Sequence, residues 1–94
     1  MSELQISNGN TIVVYDRLAK ESIYGTEQCA RNVYFLTKES KVVWQIRSDH
    51  DAEGDPFTNI MLNEKGDILA YRWNGGSYLI DEKTGFATPH QFLK

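Results

Sequence analysis

Between two short runs rich in branched and aromatic residues, Ile68–Trp73 and Ser77–Ile80, lies the triplet Asn74-Gly75-Gly76. Asn and Gly reach positive φ at little steric cost, so the triplet lets two strands fold back on each other with the correct twist. A second turn, Asp81-Glu82-Lys83-Thr84-Gly85, reverses the chain again. The stretch from Asp67 to Gly85 therefore predicts the middle of a β-meander. A meander is stable only if it buries one face, so the rest of the chain must supply a covering layer.

The remaining segments read as strands rather than helices. Thr11–Tyr15 is a branched run after the turn signal Asn8-Gly9-Asn10, and Asn32–Thr37 is again strand-like. Lys41–Arg47 alternates cleanly: Val42, Trp44 and Ile46 point one way, Lys41, Val43, Gln45 and Arg47 the other. Arg17–Glu21 has helical propensity but is long enough for one turn only, and it leads into a further strand candidate at Ser22–Gly25. Ser48–Pro56 breaks the pattern with acidic residues, Gly54 and Pro56. Phe57–Leu62 resumes a strand and Asn63–Gly66 turns it. Phe86–Leu93 is a last strand whose Pro89 lacks the ladder donor and so belongs at an edge.

The two halves echo each other. Val33–Trp44 aligned on Ser77–Thr88 matches Tyr34 to Tyr78, Leu36 to Ile80 and Ser40 to Thr84. Each copy is strand, polar turn, strand, and each follows an earlier pair of strand candidates. A period of roughly 40–50 residues with four strands per unit is the mark of propeller-like β repeats. Tyr78-Leu79-Ile80-Asp81-Glu82-Lys83-Thr84-Gly85 resembles the repeat of quinoprotein-type β-propeller blades, where an apolar strand enters an Asp-x-x-Thr-Gly turn. Lys41-Val42-Val43-Trp44 resembles the strand after that turn, which ends in a Trp in that family. The first copy has Thr37 in place of the Asp, and the second has Pro89 near the Trp position. The resemblance implies two blade-like units. It brings no cofactor with it, because the family's quinone sits inside a closed ring of blades and two units cannot close one.

Residues 1–94 thus form one all-β domain of two antiparallel four-stranded units with meander connections, about 10–47 and 57–92, joined by an acidic loop at 48–56. The units bury their apolar faces against each other as a sandwich or a flattened small barrel. Either form leaves edges open to pairing with a second copy, so a homodimer is expected.

Composition narrows the function classes. The chain is 40% hydrophobic and 24% charged, a globular balance. The net charge of −3 with no basic face argues against nucleic acid as a partner. No apolar run approaches the roughly 20 residues that span a bilayer, and the polar start MSELQISNGN does not resemble a signal peptide. A lone Cys29 forms no internal disulfide, which suits a reducing cytoplasm.

Few residues suggest chemistry. Asp49, Asp51, Glu53 and Gly54 approximate positions one, three, five and six of an EF-hand loop, with Asp55 beside them, but Pro56 stands where an apolar residue is expected and Ile60 where the closing Glu belongs. The loop therefore reads as a solvated linker rather than a metal site. No local signature surrounds a nucleophile, and Cys29, His50 and His90 could meet only through the fold. The aromatic residues remain. Trp44 alternates with Val42 and Ile46 and is expected in the core. In the central hairpin one face carries Leu69, Tyr71 and Trp73, the other Ile68, Ala70 and Arg72, and core is the expectation for Trp73. Tyr71, Arg72, Trp73 and Trp44 are the candidate binding residues, being the types that anchor interfaces. The expected function is a protein-binding or self-associating module without a cofactor. The alternative is a small-molecule binder with an aromatic-lined pocket inside a β-barrel.

Overall fold

Among residues 2–6 and 9–90, which the computed structural model describes, eight strands form two four-stranded antiparallel sheets, each a simple meander. The first contains β1 (Ser2–Gln5), β2 (Thr11–Val14), β3 (Val33–Leu36) and β4 (Val42–Gln45), paired in that order. The second contains β5 (Phe57–Leu62), β6 (Ile68–Arg72), β7 (Ser77–Ile80) and β8 (Ala87–Pro89). Two single helical turns, α1 (Glu21–Tyr24) and α2 (Thr26–Cys29), lie in the connection between β2 and β3. The expected all-β pair of four-stranded units is what the chain forms.

Register explains the core. Ile12, Phe35 and Trp44 stand side by side across the first sheet, and Ile60, Ala70 and Tyr78 across the second. All six are buried and belong to one cluster between the sheets, with Val33, Ile46, Phe57, Ile68 and Ile80. Burying each large side chain contributes roughly 1.5–3 kcal/mol, so this layer holds the sandwich together. Among the described residues the sheets stay separate apart from one parallel bridge between Arg47 and Phe86, and they close no barrel. Core side chains fill the space between them, and a pocket inside a barrel has no barrel to occupy.

Polar contacts lock the two sheets at opposite ends. The Trp44 indole Nε1 donates to the Glu82 carbonyl at 2.8 Å, and its ring lies flat against Gly85. A Cβ there would sit 2.6 Å from the ring, and Gly85 also holds φ at 78°. Only glycine satisfies both. Elsewhere, fully buried Asn32 donates from Nδ2 to the carbonyls of Tyr15 (2.6 Å) and Phe57 (2.7 Å), while its Oδ1 accepts from the Phe57 N–H (2.8 Å). One side chain thus satisfies backbone groups from both sheets.

Several expectations are corrected. The first sheet's additional strand is β1, where Leu4 packs on the core with Ile6 just beyond the strand, and not Ser22–Gly25. That segment turns helically, with Ile23 and Tyr24 N–H groups donating to the Lys20 carbonyl, because ESIY has no period-two pattern to bury. A register shift opposite Phe35 and Leu36 takes Val42 off the Trp44 face and leaves both Val42 and Val43 exposed. The central hairpin closes with Gly75 alone of its turn triplet at positive φ, and β6 ends at Arg72. Trp73 therefore sits in the turn, 59% exposed, and is not core. The residue-level echo slips as well. Tyr34 lies on the outer face of the first sheet, paired with Val13 and Gln45, whereas Tyr78 lies in the core. A one-residue slip reverses a side chain's face. The ends of two expected segments, Asn8 and the stretch from Gln91 to Leu93, lie outside the described residues.

Candidate functional site

The outer face of the first sheet is shaped by the chain leaving β2. Tyr15 is held by backbone and side-chain bonds to Asn32, and the Asp16 carboxylate accepts the Leu18 N–H at 3.2 Å. Ala19 takes φ 59°, and the Lys20 N–H donates back to the Arg17 carbonyl at 3.2 Å. This tight bend aims Arg17 across the sheet. Its NH1 donates to the Gln28 carbonyl at 2.9 Å and its NH2 to the Tyr34 hydroxyl at 3.0 Å. Three rings surround the guanidinium carbon, with centroids at 4.4 Å (Tyr24), 5.3 Å (Tyr34) and 5.9 Å (Tyr15). Tyr15 and Tyr34 themselves meet edge to face at 5.5 Å.

These residues line an open groove of about 520 Å³, completed by Leu36, Ser40 and Val42. A second cleft of about 270 Å³ adjoins it and shares Tyr15, Asp16 and Arg17. Leu18 and Ile23 lie exposed nearby, Ile23 at 71%. No ion pair joins Arg17 to a carboxylate among the described residues. Fixed cation, amphipathic rings and exposed apolar side chains together suit recognition of a polar group on an otherwise apolar partner.

A second arginine is treated differently. Arg72, 3% exposed, donates from NH1 to the Tyr78 hydroxyl (2.9 Å) and the His50 carbonyl (3.0 Å), and from NH2 to the Ala30 carbonyl and Asp51 Oδ1. Asp51 is 2% exposed and fully engaged. Its Oδ1 also accepts the Ser48 hydroxyl at 2.6 Å, and its Oδ2 accepts the Ser48 N–H and Arg31 Nε, both at 2.8 Å. Burial by itself would raise the Asp51 pKa. Hydrogen bonds from Ser48, Arg31 and Arg72 outweigh it and hold the carboxyl below the ordinary aspartate value.

The sequence candidates fall in different places. Asp51 is not part of a solvated loop but the anchor of this buried network, so its oxygens are spent on Ser48 and two arginines. Asp49, Glu53 and Asp55 line a cleft of about 320 Å³ with His50 and Asn74, and Asn74 Nδ2 donates to Asp55 Oδ2 at 3.1 Å. Searching the described residues finds no group of three or more His, Cys, Asp or Glu placed to hold a metal ion. Trp44 and Arg72 are buried, Trp73 is exposed, and Tyr71 is half-buried on the outer face of the second sheet. The structure therefore does not bring Tyr71, Arg72, Trp73 and Trp44 onto one surface. Cys29 is buried, and that burial, with Glu21 nearby, pushes its thiol pKa up, the reverse of what a nucleophile needs. His50 lies against the Tyr78 ring at 6.3 Å, and the His90 N–H donates to the Ser77 carbonyl at 2.8 Å.

Sequence reasoning missed the Arg17 groove. Tyr15, Arg17, Tyr24 and Tyr34 come from three separate segments, and no local motif links them. The signal present was compositional: five tyrosines, of which three gather here.

No helix of the described residues is long and apolar enough to cross a membrane. Neither a curated protein nor a solved structure matches the chain. A family model described as a domain of unknown function, DUF7957, matches residues 3–92, and with almost its whole length covered the chain belongs to that family.

Proposed function

We propose that this protein works by binding another protein through the tyrosine groove on the outer face of its first sheet. One observation carries the reading: Arg17 is fixed among three tyrosines in an open groove, and no carboxylate pairs with it among the described residues. Tyr and Arg are the residue types that dominate binding energy at interfaces. Exposed Leu18, in the adjoining cleft, extends the groove with apolar area of the kind that marks interaction sites. A cytoplasmic setting is part of this reading, since it keeps Cys29 a thiol.

A second surface supports a rival form of the same function. Exposed Met61 and Leu79 flank buried Leu69 in one row across the outer face of the second sheet, with half-buried Tyr71 beside them and Trp73 exposed at the hairpin tip. Through this face the module would self-associate as a homodimer.

Selection of peptides from a displayed random library on the immobilised protein, run beside light scattering, separates the two. The groove reading expects selected peptides that lose binding to the Tyr24→Ala variant and keep it with Trp73→Ala. No selected peptide, or binding indifferent to Tyr24, refutes it. A stable dimer that Trp73→Ala or Leu79→Ser dissociates would favour the second face instead.

A further inference from the structure

We infer that the groove takes an extended peptide segment that seats a carboxylate side chain on the Arg17 guanidinium, with apolar side chains to either side. This rests on the groove being the binding surface and adds the chemistry of what it recognises.

The chain contains four arginines. Arg31 pairs with Glu27 and Asp51, and Arg72 with Asp51. Arg47 lies exposed over the Phe86 ring, where water serves it. Arg17 alone is half-buried with no carboxylate in ion-pair range among the described residues. Scarcity of acid does not explain this, because Asp and Glu outnumber Lys and Arg by 13 to 10. Even the adjacent Asp16 turns an oxygen to the Leu18 N–H instead. A cation stripped of part of its hydration and given no counter-ion is a standing cost, and an incoming carboxylate relieves it.

Geometry narrows the ligand further. NH1 and NH2 are each held by one bond, to the Gln28 carbonyl and the Tyr34 hydroxyl, and each has a second N–H. The planar fork is thus oriented before any ligand arrives, which lowers the ordering cost of binding and suits a carboxylate. Two clefts meet at Arg17, one walled by Leu36 and Val42, the other by Leu18 and Pro56. An extended chain crossing Arg17 would place neighbouring side chains in both, whereas a small acid would fill only one.

The experiment is the same random-peptide selection, followed by fluorescence-anisotropy titration of a selected peptide and its amide twin, Glu replaced by Gln or Asp by Asn. The expected result is a shared acidic position flanked by apolar ones. The twin should bind the wild-type protein about tenfold or more weakly, as loss of a charge-assisted bond implies. Arg17→Gln should erase that discrimination, and Arg17→Lys should restore only part of it, since an ammonium lacks the fork. Should Arg17→Gln not fold, the acid–amide comparison on the wild-type protein decides alone. Peptides that need Tyr24 but share no acidic position, or twins that bind equally, overturn the carboxylate and leave the groove standing. Peptides indifferent to Tyr24→Ala overturn both.

Discussion

Arg72 and Arg17 are gripped in the same manner, one inside the fold and the other half-buried at its surface. Each guanidinium lies among aromatic rings, Phe57 and Tyr78 at 4.4 and 4.6 Å for Arg72, Tyr24 and Tyr34 at 4.4 and 5.3 Å for Arg17. Each donates to one tyrosine hydroxyl and to backbone, Arg17 to one carbonyl and Arg72 to two, and each has a buried Nε without a hydrogen-bond partner among the described residues. The difference is a carboxylate. Arg72 meets Asp51 inside the fold, so its charge is neutralised where water cannot reach. Arg17 meets none among the described residues and opens onto a groove. An arginine whose charge is matched internally has become part of the scaffold, while one positioned and left unmatched is poised for something outside the chain.

Removing charge should therefore have very unequal consequences at the two places. Asp51→Asn leaves Arg72 buried and uncompensated, and urea denaturation should show a loss of about 3–5 kcal/mol. Adding Arg72→Met to that variant should recover part of the loss, because an apolar side chain of similar length needs no counter-ion. Arg17→Gln should change stability by less than about 1 kcal/mol, since it deletes a half-exposed charge that no carboxylate among the described residues answers. Equal losses at the two sites would erase the distinction drawn between them.

Acid separates the sites a second way. The Asp51 carboxyl titrates below its ordinary value in the folded chain, so the folded form binds its proton less readily than the unfolded form does. Its contribution is fully present above the ordinary aspartate value, about pH 4, and drains as pH falls from there through the lowered folded value. Thermal melts across that range should show the wild-type protein losing stability faster than Asp51→Asn does. Arg17→Gln should keep the wild-type slope, having removed no titrating partner of Asp51.

The same contrast shows how much could be read from the chain. Strand alternation and turn chemistry are local, and they carried the two meanders, the edge position of Pro89 and the burial of Trp44. Alternation also grouped Arg72 with Ile68 and Ala70, yet an arginine on that face counts against its being core until the carboxylate that neutralises it is known. That carboxylate, Asp51, sits in a loop whose composition suggests solvent, and only the fold brings it to Arg72. Trp73 departs from its expected burial for the complementary reason: its hydrophobicity suggests core, but the strand ends one residue earlier. The Arg17 groove depends on Tyr34 facing outward, against the pairing with core Tyr78 that the internal echo suggests. A bulge, a bend and a one-residue slip are small in sequence and decide which side chains meet.

Deleting one hydroxyl at each arginine is the finest version of the comparison. Tyr78→Phe removes the acceptor of a 2.9 Å bond from Arg72 NH1 inside the sandwich. That nitrogen keeps the His50 carbonyl at 3.0 Å, but one of its N–H groups is left buried and unpaired, so a loss of about 1–3 kcal/mol is expected. Tyr34→Phe removes the acceptor of a 3.0 Å bond from Arg17 NH2 at the rim of an open groove. Water can replace that acceptor, so stability should fall by no more than about 0.5 kcal/mol. Orientation should suffer instead, because NH2 loses the bond that fixes the guanidinium fork. A titration of Tyr34→Phe with an acidic peptide should thus weaken while its melting temperature barely moves, and Tyr78→Phe should show the reverse. If both variants lose stability alike and neither changes binding, the two arginines do the same job, and the groove is only another part of the scaffold.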